Sequence, residues 1–207
     1  MYLKSCIAAA IAVPFSLLGA VFTNYSATAA TFLVKPAPPT ALAANNTFSP
    51  LFPASTLLTQ AQTSWKEFSS SEGKFAVSMP GTPKQETETD DEGLTSHSFT
   101  VEIQNPDSAY LVTYYDVPEF AKATPEQIKE LHDGTPDAFA KGGNAELTRS
   151  ESIILDGNPG REFEFTSNDG FSGKGRVYLV LDRLFLVVAI APQRQNIERF
   201  LDSFRLL

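Results

Sequence analysis

Cysteine is almost missing from this sequence: its 207 residues include one, Cys6. Cys6 stands before a long apolar run rather than at its end, so it is not placed for lipidation. Beyond that run there is no thiol, which excludes disulfides, cysteine-ligated zinc and cysteine nucleophiles from the rest of the chain. Histidine is nearly as scarce, with His97 and His132 alone. A zinc site or a proton relay built on the two requires them to be adjacent, and their order along the chain does not lead one to expect that. Each reads as a satisfied core or surface histidine. Basic charge is short as well: 16 Lys and Arg face 24 Asp and Glu, for a net charge of −8. Residues 1–64 hold Lys4 and Lys35 and no acid. From residue 65 onward 14 basic side chains therefore face 24 acidic ones, a net of −10. Phosphate backbones bind basic surfaces, so nucleic acid is excluded as a partner. A basic protein or a cation fits the sign better.

Catalytic patterns are also lacking. Ser69-Ser70-Ser71 has no strand-to-helix elbow and no evident base beside it. Gly157-x-x-Gly160 precedes a strand, lacks the Lys-Ser/Thr pair and opens no helix, so it is not a phosphate loop. The expectation is a protein that is not an enzyme.

What is present begins with an export signal. Lys4 is followed by the apolar run Ile7–Phe22, and Ala27-Thr28-Ala29 matches the small-x-small cleavage rule, giving a signal over residues 1–30. Ala41-Leu42-Ala43 offers a second cleavage site, and a retained anchor is the alternative that Pro14 and Gly19 weaken. Residues 31–64 are rich in Pro and Ala (Lys35-Pro36-Ala37-Pro38-Pro39, Ser49-Pro50-Leu51-Phe52-Pro53) and read as an extended, disordered tether.

The folded part, residues 65–207, is organised by Trp65–Pro83. Trp65–Phe68 starts a strand, Ser71-Glu72-Gly73 turns, and Phe75, Val77 and Met79 alternate with Ala76 and Ser78. Pro80-Gly81-Thr82-Pro83 ends that strand. Glu86–Asp90 is a polar strand and Asp90-Asp91-Glu92-Gly93 a turn. Thr95, His97, Phe99, Val101 and Ile103 alternate with Ser96, Ser98, Thr100 and Glu102, which predicts one buried face. Ala109–Tyr115 is apolar enough to be central and buried on both sides. Its Tyr110, Tyr114 and Tyr115 read as core. Thr124, Pro125 and Gln127 predict a capped helix start, and Ile128, Leu131, Ala138 and Phe139 its apolar stripe. Pro136 predicts a kink or interruption near Thr135. Strands follow over 146–155, 161–166, 172–181 and 184–191, with Asp156–Gly160 as a turn, and then an amphipathic helix over 193–204. This order predicts an α+β fold, an antiparallel sheet with helices packed on it.

Phe75-Ala-Val-Ser-Met-Pro-Gly-Thr-Pro83, the Tyr-rich strand 109–115, Gly157-x-Pro159-Gly160-Arg161-Glu162 and Leu184–Pro192 followed by a helix resemble the PsbP-like family. Its fold is that of the extrinsic PsbP protein of photosystem II, an α/β/α sandwich. The resemblance spans about residues 65–207 and is greatest to exported, uncharacterised members in oxygenic phototrophs. It implies an extracytoplasmic place, periplasm or thylakoid lumen, and work in assembling or maintaining a photosynthetic membrane complex.

Two candidate sites remain. Glu86, Glu88, Asp90 and Asp91 form an acidic hairpin able to meet a partner or a Ca²⁺ or Mn²⁺ ion, although the spacing matches no calcium loop and a solvated like-charged face explains it better. Arg161 can hold a partner carboxylate or an anion, or it can lock the turn to the sheet through a salt bridge at the sheet edge. The expected function is a non-catalytic, monomeric domain, peripheral to the membrane at most, that docks on a protein partner. The alternative is a small-ligand or divalent-cation binding protein.

Overall fold

The computed structural model describes residues 64–90, 93–104, 106–168 and 170–207. The expected export signal with Cys6 and the tether up to residue 63 lie outside the described residues. The elements run β1 (Lys66–Ser70), β2 (Phe75–Met79), β3 (Lys84–Thr89), β4 (Thr95–Gln104), β5 (Asp107–Asp116), a 3-10 turn (Pro118–Lys122), α1 (Pro125–Gly142), β6 (Ala145–Leu155), β7 (Asn158–Ser167), β8 (Ser172–Val180), β9 (Arg183–Ile190), α2 (Arg194–Ser203) and β10 (Arg205–Leu206). The strands form two antiparallel sheets: a small one in the order β1-β2-β10, and a large one in the order β3-β4-β5-β9-β8-β7-β6. The α+β expectation is borne out.

The large sheet is buried on both faces, which is why β5 and β9 read as unbroken apolar runs. On one face Leu111, Phe163, Phe165, Val177, Leu186 and Val188 pack with Leu131 and Phe139 of α1. On the other, Phe99, Tyr110, Val112, Tyr114 and Phe185 pack with Phe75, Val77 and Met79 of β2 and with Ile197, Phe200 and Leu201 of α2. Phe75 is the hub of the second face. Its ring meets Phe68, Phe99, Tyr114, Phe185 and Phe204 at centroid distances of 5.2–6.5 Å.

Local signals account for the boundaries. Thr124 caps α1: its hydroxyl accepts from Gln127 N at 3.3 Å, and the Gln127 side chain accepts from Thr124 N at 2.9 Å. Pro136 lies inside α1, yet the helix runs through it, with Thr135 Oγ1 donating to Leu131 O at 2.7 Å.

Three expectations need correction. Ser96, Ser98 and Thr100 are buried rather than solvated, because they share rows with Tyr115, Thr113 and Leu111 on the α1 face; Ser98 and Thr113 join hydroxyls at 3.0 Å. The β6–β7 turn is two residues, Asp156 and Gly157, both at positive φ, so Asn158-Pro159-Gly160 belong to β7. Gly160 is there for space rather than freedom: a Cβ would stand 2.5 Å from Val177 O and 2.4 Å from the Tyr178 ring. The third is β10, which two residues after α2 gave no periodicity to reveal.

Candidate functional site

Successive residues of a strand point to opposite faces, and on β7 that rule sends Arg161 and Glu162 to different layers. Arg161 reaches the α1 face, where its guanidinium pairs with Asp133 of α1 and lies 3.4 Å from Ser150 Oγ of β6. Its partner is thus a helix carboxylate, not one at the sheet edge. Asp133 also receives Lys129. Arg161 Nε is buried and has no hydrogen-bond partner among the described residues.

Glu162 reaches the α2 face and holds two cations, Lys174 Nζ at 2.9 Å and Arg176 Nε at 2.7 Å. Lys174, 7% exposed, continues to Glu198 of α2 at 3.0 Å. Arg176 donates to Leu201 O at 2.9 Å and Asp202 at 2.8 Å. Arg194 closes the far side on Glu164 and Glu198 at 3.0 and 3.2 Å. Burial alone would raise the Glu162 carboxyl, but hydrogen bonds from Lys174 and Arg176 outweigh it and hold the group below its usual range. Burial likewise works against the Lys174 ammonium, and Glu162 and Glu198 reverse the balance and raise it. The opposite charges are thus mutually paired, an arrangement that docks α2 on the large sheet.

The histidines lie on opposite faces of the large sheet and form no pair. His132, on α1, is buried and accepts a hydrogen bond at Nε2 from Leu179 N at 3.2 Å. Burial, with Arg161 nearby, pushes it down to about 4, so it is neutral at pH 7. His97 stacks on Tyr114 at 4.6 Å, and its Nδ1 lies 3.1 Å from Thr87 Oγ1. Its Nε2 is 3.9 Å from Asp116. Hydroxyl, imidazole and carboxylate thus fall in a row. But Arg183 already takes Asp116 at 2.7 Å and lies over Tyr114 at 4.4 Å. Thr87 is on an exposed edge strand. The row lacks the enclosed setting of an activated hydroxyl.

The acidic hairpin is the β3–β4 edge. Glu86 and Glu88 stand in register with Ser98 and Ser96, so they share one side of β3. Lys84 pairs with Glu86 at 2.6 Å, both solvated. Asp90 shapes the turn: its carboxylate accepts from Leu94 N at 2.8 Å. Asp91 lies outside the described residues. Arg161, on β7, is five strands along the sheet from β3, so the residues singled out in the sequence do not converge. Among the described residues, no three His, Cys, Asp or Glu side chains cluster to hold a metal ion. The residues that sequence reasoning missed are Lys174, Arg176, Glu198 and Asp202. Their signal was there: Glu162 and Glu164 on one strand and Lys174 and Arg176 on the next are same-face pairs of opposite sign.

No family model and no curated protein sequence matches the chain. Among solved structures it is similar to cyanobacterial PsbP (CyanoP) from Synechocystis sp. PCC 6803, with 13% identity, 70% of this chain and 94% of that chain covered, and a TM-score of 0.50. It is also similar to the Ran-binding protein Mog1p of Saccharomyces cerevisiae, with 8% identity, 70% and 96% covered, and a TM-score of 0.41. The likeness to CyanoP shows that the fold is PsbP-like.

Proposed function

We propose that this chain is a non-catalytic PsbP-like domain that works outside the cytoplasm, in the periplasm or thylakoid lumen, and docks as a monomer on a protein partner in assembling or maintaining a photosynthetic membrane complex. One observation carries the reading. The side chains best equipped for chemistry, Glu162, Lys174, Arg176, Arg161 and His132, are all engaged in holding layers together. What faces solvent is an acidic edge and a set of hairpin tips, surfaces suited to contact rather than turnover. Among the described residues no helix is long and apolar enough to cross a membrane. The test is affinity recovery with the C-terminally tagged full chain from its native membranes, paired with fractionation. A defined protein partner in an extracytoplasmic fraction supports the proposal; a cytosolic protein that recovers no partner ends it.

The second reading, a divalent-cation carrier, draws on Glu86 and Glu88 standing on one side of an exposed edge. Calorimetry with Ca²⁺ and Mn²⁺ decides it. Micromolar binding abolished by Glu88→Gln with Asp91→Asn supports the carrier, and absence of heat removes it.

A further inference from the structure

Leu181 occupies the tight turn between β8 and β9 with φ +57°, and it is 83% exposed. A bulky L-residue avoids that region, because its Cβ crowds the backbone. The neighbouring β6–β7 turn shows the relaxed solution, with Asp156 and Gly157 in the positive-φ positions. A leucine that is strained and also solvated contributes nothing evident to the fold. Outliers of that kind point toward function.

Leu181 does not stand alone. Gly160 of β7 pairs with Ile153 of β6 on one side and Tyr178 of β8 on the other, so the β6–β7 and β8–β9 hairpins end at the same level. Ile154, one residue beyond that row, is 77% exposed, and its strand partner Pro159 is exposed too. With strands about 4.8 Å apart, β6 and β8 are separated by roughly 10 Å. Ile154, Pro159 and Leu181 thus stand exposed at one end of the sheet, while half-buried Leu155 and Val180 beside them turn to the α2 face. The rim is acidic: Asp156 and Asp182 are exposed at the two turns. The nearby cations are engaged: Arg183 with Asp116 and with Glu72 O at 2.8 Å, and Arg161, two residues from Pro159 on the same face, with Asp133.

We infer that this two-hairpin tip is the docking surface, and that it inserts Leu181 and Ile154 into an apolar pocket framed by Lys or Arg on the partner protein. The inference rests on the docking function proposed above. The charge selects the occupant. An anionic lipid surface meets two carboxylates, and a second copy of this chain brings the same two carboxylates to the contact. A pocket rimmed with basic residues matches both the apolar centre and the acidic border.

The test places a photo-crosslinking amino acid at position 181, at 154 and, as a control, at Lys129 on the solvated side of α1, in the full chain expressed in its native cells. The expected result is one protein adduct shared by positions 181 and 154 and not by 129, with the linked partner peptide carrying apolar residues beside Lys or Arg. Leu181→Asn suits the backbone better, so it melts roughly 2–4 °C higher than the parent. It should nevertheless cut the adduct formed from position 154 roughly tenfold, as losing one buried anchor predicts. Asp182→Lys should also weaken the adduct. Lipid adducts alone, a self-adduct alone, or equal labelling from 129 overturns the inference, as does a Leu181→Asn chain that crosslinks like the parent. If affinity recovery yields a partner that does not crosslink from the tip, docking stands and this surface falls. If no partner is recovered by either route, both fall.

Discussion

Arg161 ties β7 to α1, the fold-internal salt bridge that its place beside the turn led one to expect, though with a helix carboxylate as partner. Its guanidinium meets Asp133, so Arg161→Ala leaves a half-buried carboxylate without its strongest partner. We expect a loss of about 1–3 kcal/mol in chemical unfolding, with Asp133→Ala costing a similar amount and the double mutant less than the total of the two. A strictly additive double mutant contradicts the pairing. Gly160→Ala should cost about 1–3 kcal/mol because its methyl enters a backbone carbonyl and a tyrosine ring. His132 makes stability depend on pH. Its folded value is about 4 against 6.5 when unfolded, so between those limits the unfolded chain binds the extra proton. Above pH 6.5 both states are neutral and nothing is lost. As pH falls from 6.5 to 4 the folded state loses about 3 kcal/mol from this group. Urea titrations at pH 7, 5.5 and 4.5 measure it, and His132→Gln should flatten that slope.

At the scale of elements, α2 is held by charge as much as by its apolar stripe. Glu162→Gln removes the carboxylate shared by buried Lys174 and half-buried Arg176, which keep Glu198 and Asp202, and we expect a loss of about 1–3 kcal/mol in thermal or urea unfolding. The Glu162 pairs with Lys174 and Arg176 lie largely out of solvent, so moderate salt should leave their contribution nearly unchanged, whereas the exposed Arg194 pairs should be screened; a strong salt dependence of the Glu162→Gln loss would argue that the centre of the network is solvated. The contrast with α1 explains how much could be read beforehand. Thr124, Pro125 and Gln127 announced the start of α1 because capping is settled within four residues. The strands of β4, β5 and β9 were legible from period and apolar density. In the Glu162–Lys174–Glu198 chain the strand pair was legible as opposite charges on consecutive strands, but the link to a helix 36 residues away in sequence was not. Ser96 and Ser98 misled for a related reason: hydroxyls on a strand suggest solvent, but a sheet covered on both faces buries them. The docking tip was equally hidden, because Leu181 in sequence looks like the end of an apolar strand and only its backbone angle and exposure set it apart.

For the whole molecule, the two ends of the described domain are stitched together. β2 lies between β1 and β10; Ser78 N donates to Ser203 Oγ at 2.8 Å, Arg205 pairs with Glu67 at 2.9 Å, and Leu207 N donates to Lys74 O at 3.0 Å. Deleting residues 205–207 should therefore lower the melting temperature and speed hydrogen exchange in β2, while α1 and β6 keep their protection. Uniform loss of protection would instead mean that the layers unfold as one unit. The same stitch sets a schedule. Arg205 of β10 is made 129 positions after Ala76, its partner in β2. The small sheet cannot close until Arg205 and Leu206 have been made, so β2 lacks one of its two neighbours through all the synthesis in between.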